Sequence, residues 1–149
     1  MRLSSLVAAG VLLAAATPAA AQVTVTGIRN LAFGPVIRGV AVHVLPSDAV
    51  KSGQFRFVTA IGNVVRLQFT LPNRLNGPSG ARLTIGFGST DAFAVGAAAP
   101  VTFNPNNAQT FTISSSNTIN VFLGGTVSPT AAQAFGSYTN TITLTVTLQ

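Results

Sequence analysis

His43, Asp48 and Asp91 are the only side chains after residue 21 that could exchange protons in the acid-to-neutral range, since Glu and Cys are absent. General acid–base catalysis needs such groups placed together with matched proton affinities. His43 stands between Val42 and Val44 in the run 40–45, on the face opposite them. It reads as a solvated or hydrogen-bonded strand histidine ahead of a catalytic one. A Ser-His-Asp arrangement is formally open because serine is plentiful. Yet no serine occupies a nucleophile elbow, and Ser52-Gly53 reads as a turn. Asp48 and Asp91 each stand beside Ser or Thr near a strand boundary, where turn capping explains both without a shared ion. Zinc and calcium want richer clusters of His, Cys or carboxylate ligands. Gly86-Phe87-Gly88 and Gly124-Gly125 lack the spacing of phosphate-cradling loops. No catalytic, metal or cofactor site is expected, and the chain does not read as an enzyme.

The positive charges suggest different chemistry. After residue 21, seven basic side chains face two acidic ones, and every basic one precedes Leu83. No Lys/Arg cluster exists, which opposes nucleic-acid binding. Arg56 falls between Phe55 and Phe57, and Arg66 between Val65 and Leu67, so both point away from apolar neighbours. If Ile61-Gly62-Asn63 turns the runs 54–60 and 64–71 into a hairpin, these arginines share one exposed face. Arg82, out of phase with Leu83 and Ile85, would extend it. Such a face could grip an anionic glycan or lipid head groups, although solubilising charge is the ordinary role of scattered arginines.

These groups must be positioned by strands. Residues 138–148 alternate large apolar and hydroxyl side chains almost without interruption. Successive side chains of a strand point to opposite faces. Tyr138, Ile142, Leu144, Val146 and Leu148 should therefore share one face, with threonines on the other. Shorter alternating runs recur at 23–26, 31–33, 40–45, 54–60, 64–71, 81–87, 92–95, 101–103, 109–113 and 118–123. Residues 72–80 give the strongest loop signal, with Asn76-Gly77-Pro78 inside them. Phe122 is out of phase with Val121 and Leu123, and packing on a second face is favoured over an exposed anchor. Many short strands separated by turns point to a sandwich or barrel.

The start of the chain has another purpose. Met1-Arg2, the apolar run 6–16 and Ala19-Ala20-Ala21 have the layout of a secretory signal peptide cleaved after Ala21, too short to span a bilayer. Residues 22–149 then form one exported domain, in the periplasm, at the cell surface or outside the cell. No further long apolar segment follows, so the mature chain has no transmembrane segment. Without cysteine it must hold together by packing and strand pairing.

Leu31-Ala32-Phe33-Gly34, Gly124-Gly125-Thr126 and Gly136-Ser137-Tyr138 resemble the pattern of the DUF4402 family, which is similar to spore coat U and pilin-like exported proteins. The resemblance implies an immunoglobulin-like antiparallel β-sandwich and a structural or adhesive subunit of a bacterial surface filament, pilus or coat. Expected partners are further copies of the chain, other surface subunits and a periplasmic chaperone. Only residues 22–30 precede Leu31, which leaves little chain for a separate donor arm. If assembly uses strand addition, Val23 and Val25 lie in the most available segment, and residues 138–148 would line the acceptor groove or its neighbour. The alternative is a monomeric module that binds anionic polysaccharide through Arg56, Arg66 and Arg82.

Overall fold

Alternation of apolar and polar side chains shapes most elements of the structure, a computed structural model that describes residues 22–96 and 99–149. The leader expected over residues 1–21 lies outside the described residues. Those residues form β1 (Gln22–Val23), β2 (Val25–Arg29), β3 (Val42–Val44), β4 (Gly53–Val58), β5 (Val64–Thr70), β6 (Arg74–Asn76), β7 (Arg82–Gly86), β8 (Ala92–Val95), β9 (Val101–Phe103), β10 (Gln109–Thr112), β11 (Thr118–Leu123), β12 (Gly125–Ser128) and β13 (Thr143–Leu148). The strands build three antiparallel sheets with orders β1-β13-β5-β10, β2-β4-β11-β8-β9 and β3-β12-β7-β6. The fold is all-β, as expected. Among the described residues no helix is long and apolar enough to cross a membrane.

The first two sheets enclose the main core. In β5 the buried Val65, Leu67 and Phe69 alternate with exposed Arg66, Gln68 and Thr70. In β11, Ile119, Val121 and Leu123 turn inward to the same cluster. Two edge-to-face aromatic contacts join the layers, Phe55 to Phe69 with ring centroids 5.7 Å apart and Phe103 to Phe111 at 5.4 Å. Each large apolar side chain buried this way contributes roughly 1.5–3 kcal/mol. A core of this kind can hold a domain together without a disulfide.

The third sheet continues the second. β7 runs on toward β8, and β11 passes through Gly124 into β12. A smaller core of Leu83, Ile85 and Val127 lies on it, with Phe33, Val36 and Tyr138 packed against that core. The first strand also changes sheets. β1 pairs with β13 in the first layer, and β2 pairs with β4 in the second.

Four local expectations need correction. The runs 54–60 and 64–71 do not form a hairpin: β4 pairs with β2 and β11, whereas β5 pairs with β13 and β10. Ile61-Gly62-Asn63 carries the chain across the sandwich. Both arrangements bury the same apolar faces, so alternation could not separate them. Residues 72–80 are not simply a loop, because β6 pairs with β7 before the tight turn Pro78–Gly80. The run 31–33 forms no strand. The last strand begins at Thr143, so neither Tyr138 nor Ile142 lies in it, and only Leu144, Val146 and Leu148 of the expected set share its face. Upstream of it, Thr139 bridges to Asn76, and the Asn140 side chain donates to Arg74 O at 2.6 Å and accepts from Thr141 N at 2.7 Å. Those local bonds divert the backbone from the ladder.

Candidate functional site

The chemically active residues act first on their own backbone. Asp91 is buried at the junction of the second and third sheets. Its Oδ2 accepts from Gly88 N at 2.7 Å, and its Oδ1 lies 2.9 Å from His43 Nε2. His43 thus has the hydrogen-bonded role, with a buried partner 48 residues away. Nothing in the local sequence signalled that pair, because a sheet made it. Asp48 does cap a turn, accepting from Val50 N and Lys51 N at 2.8 Å each. The Lys51 and Val50 amides hold its carboxyl below the ordinary carboxylate range. Among the described residues no three His, Cys, Asp or Glu side chains gather as metal ligands.

Arg29 is a structural residue that the sequence did not reveal. Its Nε donates to Ser52 O at 2.7 Å, its two terminal nitrogens reach Ala49 O and Ser52 Oγ, and Ser52 itself is buried. One guanidinium therefore fastens the end of β2 to the loop before β4. Its partners become visible only when the loop at 48–52 folds over β2. Charge-assisted bonds of this kind are worth about 1.5–3 kcal/mol each when partly buried, less where solvent reaches them. We expect Arg29→Ala to lower unfolding stability by about 2 kcal/mol, read from urea midpoints, while Arg66→Ala changes it little. Equal effects of the two substitutions would refute this role.

The three arginines expected on one face stand on three sheets. Arg56 is on the outer side of β4, where its Nε and Gln54 Nε2 both donate to Asn120 Oδ1 at 3.2 Å. Arg66 is exposed on the opposite outer face, on β5, and Arg82 is exposed on β7 of the third sheet. The failed hairpin is the physical reason, since β4 and β5 turn their polar sides away from each other. Phe122 packs on a second face, beside Phe93 with ring centroids 6.3 Å apart.

The assembly residues are partly brought together. Val23 and Val25 are half-buried against the main core, as are Ile142 and Leu148, while Leu144 and Val146 are fully buried within it. Tyr138 belongs to the third-sheet cluster instead. Among the described residues β1 meets β13 through Gln22–Thr147 and Val23–Val146. A hollow of about 280 Å³ lined by Gln22, Val23, Thr24, Val25 and Leu144 remains beside this contact. The segment expected to be available for addition is therefore already paired, on one edge in each sheet.

A second concavity, of about 1030 Å³, lies between the loop at 30–38, the inner face of the third sheet and residues 129–142. Leu83, Ile85 and Val127 form its floor. Gly39 N donates to Pro129 O at 3.1 Å and fastens the two covering segments together. At the rim the Arg38 guanidinium sits 3.6 Å over the Phe135 ring, and Phe135 is 81% exposed. The sequence carried one unused sign of this site: an isolated Phe between Ala134 and Gly136, outside every alternating run.

No family model matches the chain, and no curated protein or solved structure shows significant similarity to it.

Proposed function

We propose that the chain is a non-enzymatic, exported structural or adhesive protein, a subunit of a bacterial surface filament, pilus or coat assembled through β-strand contacts. The observation that carries this reading is the first strand, residues 22–29, which is an edge strand of two sheets at once. A terminal edge strand can leave one copy and enter the next with every contact preserved, which makes exchange a low-cost route to polymers. Its hold on β13, two residue pairs among the described residues, with the hollow beside Leu144, favours such exchange. The DUF4402-like motifs point the same way. Further copies of the chain are the natural partners, and a periplasmic chaperone would guard the strand before assembly.

The absence of cysteine makes a clean test possible. Gln22→Cys with Thr147→Cys places two thiols on directly paired residues. Oxidation of the secreted, assembled material should give a ladder of covalent multimers on non-reducing gels. Oxidation of monomer before assembly should lock the strand in place and block polymers seen by electron microscopy. A strictly monomeric wild-type protein at high concentration, or only intramolecular crosslinks in the double-cysteine variant, would overturn the proposal.

A further inference from the structure

The concavity between residues 30–38 and 129–142 has an uneven chemistry. Apart from Arg38, no residue that lines it carries a charge. The floor is aliphatic. Three polar side chains on its far wall, those of Gln133, Tyr138 and Asn140, are engaged within the protein. Gln133 Nε2 donates to Arg82 O at 3.1 Å and contacts Tyr138 Oη at 2.7 Å, and that hydroxyl donates to Ala134 O at 2.8 Å. Asn140 is occupied by Arg74 and Thr141. The outer edge of β6 is closed by the reciprocal bonds between Asn76 and Thr139. The floor of the groove thus offers an occupant apolar contact and no side-chain hydrogen bond.

Arg38 is the exception. Both carboxylate side chains after residue 21 are engaged elsewhere, Asp48 with its own loop and Asp91 with Gly88 and His43. Stacked on Phe135, the guanidinium keeps its N–H edge able to face a bidentate anion. Ligand sites of a few hundred to about a thousand Å³ typically combine apolar walls with a few orienting polar groups. From these features we propose that the groove binds a single-chain anionic amphiphile, with a carboxylate at Arg38 and an alkyl chain along Leu83, Ile85 and Val127. A peptide strand fits this chemistry less well, because the aliphatic floor offers its backbone no hydrogen-bond partner. A sugar would have the same difficulty with its hydroxyls. The proposal is independent of polymer formation.

Titration calorimetry of the mature protein with dodecanoate, held below its micelle concentration, tests the assignment. Dodecanoate should bind saturably with one site per chain, and dodecanol should bind more weakly. Arg38→Ala should weaken dodecanoate by about five- to tenfold, the worth of one partly solvated charge-assisted contact, while changing dodecanol little. Arg38 is exposed, so the variant should retain the wild-type fold, and circular dichroism provides the check. Leu75→Asp, placed on the half-buried wall, should weaken both ligands. No saturable binding of dodecanoate, or binding equally strong in Arg38→Ala, would overturn the proposal. So would displacement of dodecanoate by a peptide of residues 22–29 whose affinity does not depend on Arg38, since the groove would then be a strand acceptor.

Discussion

Gly124→Ala should lower the unfolding free energy by at least about 3 kcal/mol, the upper range for overpacking a filled interior. A Cβ at this position would lie 2.2 Å from Val44 O, 2.8 Å from Pro46 N and 3.0 Å from Leu45 C. All three are backbone atoms, so no side-chain rotation can relieve the contact. Movement of the β3 exit would also disturb the bond from Gly124 N to Asp91 O, now 2.7 Å. For a domain of about this size the loss corresponds to a fall in Tm of roughly 10 °C or more. Gly86→Ala is the matched control, because its Cβ would meet nothing within 4 Å. That substitution should leave Tm within about two degrees, in keeping with ordinary surface changes of half a kcal/mol or less. Thermal melts followed by circular dichroism would decide the matter. Similar melting of the two variants would show that close approach at Gly124 does not hold the sheets together.

The same glycine marks the limit of what alternation reveals. Gly124-Gly125 reads as an interruption between strands, and two strands do meet there. In the structure the interruption is a bend through which one length of chain serves two sheets. Faces were legible because a side-chain period of two is a local property: Val65, Leu67 and Phe69 lie inward, as do Ile119, Val121 and Leu123. β11 matches the run 118–123 residue for residue. Partners were not legible in the same way. The faces of β4 and β5 are equally satisfied in one sheet or in two facing layers, and this ambiguity placed Arg56 and Arg66 together in error. The groove at 30–38 was hidden because it is built from non-strand chain, whose path depends on contacts such as Gly39 with Pro129.

Function follows the same division. His43, Asp48 and Asp91, which stood out chemically in the sequence, act as fasteners within the fold, as does Arg29, which did not. Arg29 fastens a loop, Asp48 caps one, and Asp91 joins the turn before β8 to β3. The exposed strand edges and the groove beside Arg38 are the surfaces on which the proposed contacts rest.

Asp91 is where that division can be measured most directly. Asp91→Ala should cost about 3 kcal/mol, because it removes a buried carboxylate that accepts two hydrogen bonds and leaves Gly88 N without its side-chain partner. Asp91→Asn keeps an acceptor for Gly88 N and a polar group facing His43, and should cost about 1 kcal/mol. His43→Ala should also fall near 1 kcal/mol, since the His43 side chain is 44% exposed and water can take its place. In a double-mutant cycle, His43→Ala should cost little more once Asp91 is alanine, because the two residues share one interaction. Urea unfolding of the four proteins at one pH supplies all these values. Strict additivity of the two alanine substitutions would show that His43 and Asp91 act independently. If Asp91→Ala were as stable as the wild type, the buried carboxylate would have no structural role, and catalysis or ligand binding at the pair would become the better explanation of its geometry.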